Sequence, residues 1–137
     1  MSANLEYRQS RSLSLSVLNG QLAQQNQSAI VFGWGYHDKD FKFPFGWFSG
    51  SANKNDVNFK IDFSLQNNET FIYQAGGAAQ VASGAQNITV RPSIDYLISP
   101  RFNLNLFYDS NINRPFTSQT FNTAFTNFGI NLKLLLQ

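Results

Sequence analysis

Apolar residues recur at every second position along most of this chain, and helical spacing is absent. Leu13, Leu15 and Val17 alternate with serines, and Asn19-Gly20 follows as a hairpin signal. After a polar stretch, Ile30, Phe32, Trp34 and Tyr36 form the next apolar series. The clearest case is "NDVNFKIDFSLQNN". Val57, Phe59, Ile61, Phe63 and Leu65 fall on one face, and Lys60 and Asp62 fall on the other with Asn58, Ser64 and Gln66. Asn67-Asn68-Glu69 then reads as a turn. A fourth segment starts at Thr70, breaks at "AGGAAQVASG" and resumes with Ile88, Val90, Pro92, Ile94 and Tyr96 against Arg91 and Asp95. Pro92 is unexpected there, because proline cannot donate to a ladder and prefers edges or bulges. Ser99-Pro100-Arg101 is the next turn. Phe102, Leu104, Leu106 and Tyr108 alternate with Asn103, Asn105 and Asp109, and a loop around Asn113-Arg114-Pro115 follows. The ending "NFGINLKLLLQ" places Phe128, Ile130, Leu132, Leu134 and Leu136 opposite Gly129, Asn131 and Lys133.

The pattern predicts an all-β chain of about six antiparallel strands. The alternating cores are about 9–11 residues long, the length a tilted strand needs to cross a bilayer, whereas strands of soluble proteins run nearer 5–6. A soluble sandwich or small barrel acting as a ligand-binding module also alternates, with its apolar side turned to a core.

Two features favour lipid on the apolar side. Charged residues make up only 13% of the chain, so the opposite face is mostly Asn, Ser, Thr and Gln, as a wet barrel lumen is. Aromatics reach 15% and gather near the expected strand ends. Tyr96 and Phe102 flank one turn, Phe71 and Tyr73 follow another, and Tyr108 precedes the last long loop. Membrane barrels carry aromatic girdles at that level. The expected lipid-facing set is then Val57, Phe59, Ile61, Phe63, Leu65, Ile88, Val90, Ile94, Leu104, Leu106, Ile130, Leu132 and Leu134. The expected lumen-facing set is Lys60, Asp62, Arg91, Asp95, Asn103, Asn105, Asp109, Asn131 and Lys133. With an even strand number both ends lie on one side, the periplasmic one in bacterial barrels. Asn19-Gly20, Asn67–Gln74 and Asn111–Asn122 are expected outside, and Asp38–Lys54 and Ser99–Arg101 in the periplasm.

The length of 137 residues fits one domain at most, spanning 1–137. Bacterial barrels start at about eight strands, so about six cannot close and would leave two unsatisfied edges. Met1–Glu6 has no apolar core and is not a signal peptide. Both points suggest a sector of a larger barrel, incomplete alone.

Candidate chemistry changes little. The net charge of +2 comes from scattered basic residues, so there is no stripe for nucleic acid. Cysteine is absent, which excludes disulfides and thiolate metal sites. His37-Asp38 has no nucleophile signature beside it, and the acidic residues lack calcium-loop spacing. No enzyme, metal or cofactor is expected. "GWG" at 33–35 does not match a phosphate loop and marks a bend or close packing in a strand. The apolar loop "FKFPFGWF", with Phe41, Phe43, Phe45, Trp47 and Phe48, is a girdle or a partner-docking loop.

The order of segments resembles one family. "EYRQSRSLSLSVLNGQL", "NDVNFKIDFSLQNNETFIYQ", "SGAQNITVRPSIDYLISPRFNLNLFYDSNINRP" and "NTAFTNFGINLKLLLQ" look like the C-terminal barrel segment of the SprA/Sov-type outer-membrane translocon of the type IX secretion system. "LNLFYD" and "TNFGINLKLLLQ" carry the likeness most specifically. The resemblance implies a wall segment of a protein-conducting channel in the outer membrane of a Gram-negative bacterium, within a single-chain barrel of about 36 strands. The partners it implies are the remainder of the barrel, outer-membrane lipid, a partner barrel, a plug protein and folded secreted cargo.

Overall fold

In the computed structural model the described residues are 1–16, 18, 20–39, 41, 56–74, 79–99, 101–117 and 120–134. They form a six-stranded antiparallel sheet in simple up-and-down order. The strands are β1 (Ser2–Ser16), β2 (Gln21–Asp38), β3 (Asp56–Gln74), β4 (Gln80–Ser99), β5 (Phe102–Pro115) and β6 (Thr123–Leu134). Every strand pairs only with its neighbours in sequence, so β1 and β6 each keep one open edge and the sheet is not closed. All described strands lie in this single sheet, which differs from both alternatives with a closed core, the sandwich and the small barrel.

The strands are longer than their alternating cores. Asn67-Asn68-Glu69 is not a turn but the middle of β3, which runs on to Gln74. Asn residues have turn chemistry, but here each finds a cross-strand partner: Asn67 pairs with Ser28 and Gln86, and Asn68 with Gln27 and Ala85. The Gln86 side-chain amide also donates to Asn67 Oδ1 at 3.1 Å. The break expected over "AGGAAQVASG" is likewise shorter, since Gln80–Gly84 already belong to β4. A β-bulge accommodates the join: Thr70 pairs with Ser83 and Phe71 with Val81, leaving Ala82 as the extra residue. At the other end, Asn113-Arg114-Pro115 completes β5 rather than forming a loop. The connections opposite the termini are therefore 17–20, 75–79 and 116–122. Gly20, with φ of +60°, has the left-handed backbone that a hairpin turn asks of glycine, while Val17 and Asn19 lie outside the described residues.

Pro92 lies well inside β4, paired with Ile61 on β3. On its other side the β4–β5 ladder runs from Val90↔Ser110 to Ser93↔Phe107 and skips Arg91 and Pro92 without changing register. Proline has no N–H to give, and the ladder opens where that donor is missing. Arg91 bridges the opening with its side chain, Nε lying 3.0 Å from Asp109 Oδ1.

Candidate functional site

Side chains of directly paired residues share a face, so the register sorts the sheet into two surfaces. One surface is apolar across all six strands. Tyr7, Ile30, Leu65 and Ile88 lie side by side at one border of this band. Trp34, Ile61 and Pro92 follow at mid-height, and Val57, Tyr96, Leu104 and Leu132 mark the border nearer the chain termini. All residues expected to face lipid share this side of the sheet by register, but Val57, at 2% exposure, is covered rather than presented at the surface. On β3 the band runs from Val57 to Leu65.

The opposite surface carries every residue expected to line a lumen. Its side chains link the strands in successive rungs. Asn113 donates to Asn87 at 2.6 Å, Asn111 to Thr89 at 3.0 Å, and Asn105 to Asp95 at 2.6 Å. Asn131 on β6 extends the last rung, donating to Asn105 Oδ1 at 3.2 Å. Asn103 Oδ1 is buried without a partner among the described residues. Phe107 and Phe125 also lie on this surface by register, an exception to its polarity. The Phe107 ring covers Gly129, whose missing Cβ leaves room for it.

Near β1–β3 the polar surface has a concavity of about 280 Å³, lined in part by Asn4, Gly33, Gly35, His37, Lys60 and Asp62. The two glycines of "GWG" permit close packing rather than a bend: a Cβ on Gly33 would collide with the Asn4 amide, and one on Gly35 would lie 2.9 Å from Ser2 Oγ. Asp62 pairs in register with Arg91, but the Arg91 ion pair goes to Asp109. Asp62→Asn is therefore expected to shift stability by no more than about 0.5 kcal/mol, and Asp95→Asn keeps the acceptor that Asn105 needs. Urea midpoints of refolded protein check both. A larger loss for Asp62→Asn would place it in a buried ion pair.

Aromatic packing runs along the apolar band from mid-height toward its terminus-side border. Trp34 and Tyr36 stack with centroids 6.3 Å apart, and Phe59 packs against Tyr36 at 6.5 Å. Phe41 meets Phe59 edge-on at 6.4 Å. Phe43, Phe45, Trp47 and Phe48 lie outside the described residues, as do Leu136 and Gln137. Tyr108 does not precede a loop: it sits within β5 opposite Phe128, at mid-band. Phe71 and Tyr73 lie within β3 near its end rather than after a turn.

One group of residues was hidden by the turn reading of 67–69. Beyond the Tyr7–Ile88 border, the apolar surface turns polar along one line, with Gln9, Ser28, Asn67 and Gln86 next on their strands. Arg11, Gln24, Asn26 and Glu69 follow. The sequence signal is a loss of alternation over Gln24–Ser28 and Gln66–Thr70, where both faces are polar but no Gly or Pro breaks the strand. Among the described residues no three His, Cys, Asp or Glu side chains converge on a metal.

No protein-family model matches the chain, and no characterised protein matches it in sequence.

Proposed function

We propose that this chain is a wall sector of an outer-membrane β-barrel that exports folded proteins, as the resemblance to the SprA/Sov-type translocon of type IX secretion implies. The apolar band is the observation that carries the reading. Among the described residues only Val57 and Tyr96 form a buried apolar core, while Leu5, Phe128 and Leu132 stay more than 60% exposed. The accessible surface is 10356 Å², against about 7200 Å² for a compact monomer of this mass. Apolar area of that extent needs a cover. A bilayer covers one side at once and leaves the Asn-rich side to water. The open edges of β1 and β6 cannot stay unpaired in hydrocarbon, so strands from the remainder of the barrel complete them. The rungs of amides and isolated charges then line a wide lumen, wetting the path of a folded cargo rather than binding it. Partner barrel and plug protein meet the finished channel, not this sector alone.

Single cysteines test the wall reading, because the chain has none of its own. In membranes, cysteines at Phe59, Ile61 and Phe63 should resist a water-soluble maleimide, and those at Lys60, Asp62 and Ser64 should react. A monodisperse monomer in detergent-free buffer would refute the membrane reading. For the export reading, deleting β6 in the cell should leave cargo trapped in the periplasm. Undiminished export would refute it.

A further inference from the structure

We propose that the polar belt beyond the apolar band is a binding site for the phosphorylated sugar headgroup of a membrane glycolipid. The inference rests on the reading above that the band faces lipid. The belt interrupts an apolar surface rather than ending one. Tyr7 and Ile30 close the band, and Leu13 on β1, Leu22 on β2 and Phe71 on β3 restore apolar character farther along the same face. The ladder is continuous throughout, so the belt is a built stretch of sheet and not a frayed end.

The belt is also shaped and pre-ordered. It holds a concavity of about 300 Å³. Gln24 is 7% exposed at its floor. Its Oε1 accepts from Arg11 Nη2 at 2.8 Å and from Tyr73 Oη at 3.1 Å, and its Nε2 donates to Asn26 Oδ1 at 2.8 Å. One amide therefore fixes three side chains on β1, β2 and β3. A guanidinium has five N–H donors in a planar fork suited to phosphate, and Arg11 places it at the rim. Asn67 and Glu69, with Asn26, offer amide and carboxylate groups that hydrogen-bond sugar hydroxyls. The Glu69 carboxylate repels an anion, so the sugar belongs over β2–β3 and the phosphate over β1. Continuity with the apolar band decides for a lipid over a free sugar phosphate, because acyl chains leaving this site run directly onto Tyr7, Ile30 and Leu65.

Native mass spectrometry of the complete barrel that contains this chain, held in dodecyl maltoside micelles, tests this. The micelles are doped in turn with lipid A, dephosphorylated lipid A or phosphatidylglycerol, and a further arm adds soluble glucosamine 1-phosphate. A retained lipid A adduct is expected. Arg11→Ala should weaken it about tenfold, the loss of one charge-assisted hydrogen bond. Arg11→Lys should recover only part, because it lacks the planar fork. Circular dichroism should show unchanged strand content in both variants. Equal retention of phosphatidylglycerol would overturn the sugar assignment, and equal binding of glucosamine 1-phosphate would overturn the lipid source. A barrel in which Ile61→Cys is protected from maleimide yet which carries no adduct overturns this inference alone. One in which Ile61→Cys reacts fully overturns the membrane reading together with it.

Discussion

Ile61→Arg is expected, on the proposal that the apolar band faces lipid, to destabilise the sheet by about 2–4 kcal/mol, the cost of a cation near the bilayer midplane. Ile61 is the right position because it sits at mid-band, between Trp34 on β2 and Pro92 on β4. Leu132 is a poorer probe, since its partner Leu104 aligns with Tyr96 at the border of the band. Ser64→Arg is the matched control. Ser64 pairs with Val31 and Thr89 on the polar surface and meets no cation in those rungs. Its replacement should cost little in a wet lumen. Urea titrations of the complete barrel carrying either variant, refolded into micelles, give the comparison. Equal losses would mean that the two faces meet the same solvent, and a larger loss at Ser64 would mean that the polar face meets lipid.

Gly84→Val should cost about 1–3 kcal/mol, an overpacking penalty that arises without any lost interaction. Gly84 lies beside the bulge at Ala82. A Cβ there would come within 2.7 Å of Phe116 Cδ2 and 2.8 Å of the Asn68 backbone carbonyl oxygen. The Phe116 ring can rotate away, but the carbonyl belongs to the β3 ladder and cannot. The backbone also ties this point down, since Phe116 N–H donates to Gly84 O at 2.9 Å. Adding Phe116→Ala to Gly84→Val should therefore recover only part of the loss. Full recovery in the double variant would assign the whole clash to the ring. Urea midpoints of the two single variants and the double variant distinguish these outcomes.

Alternation made the strand order and the two surfaces readable, because a period of two fixes which residues share a face before any pairing is known. Lys60 and Asp62 sit opposite Phe59 and Ile61 for that reason alone. Strand ends were less readable. Asn67-Asn68-Glu69 has the composition of a turn, yet backbone pairing on both flanks holds it extended, and pairing partners at a distance leave no local mark. The same blindness hid the polar belt and moved Tyr108 from a supposed strand end to mid-band. Its key residue, Gln24, is buried by Arg11, Asn26 and Tyr73, which come from three strands and converge only in the folded sheet.

The opening at Pro92 gives the sheet an uneven mechanical grain. Along most of the sheet adjacent strands are sewn by amide hydrogen bonds, which added electrolyte scarcely touches. Between β4 and β5 one stitch is replaced by the Arg91–Asp109 ion pair, whose side chains are 60% and 33% exposed. Counterions weaken an exposed pair of that kind. Added salt should therefore loosen this stretch of the seam more than the amide-bonded ladder on either side of it.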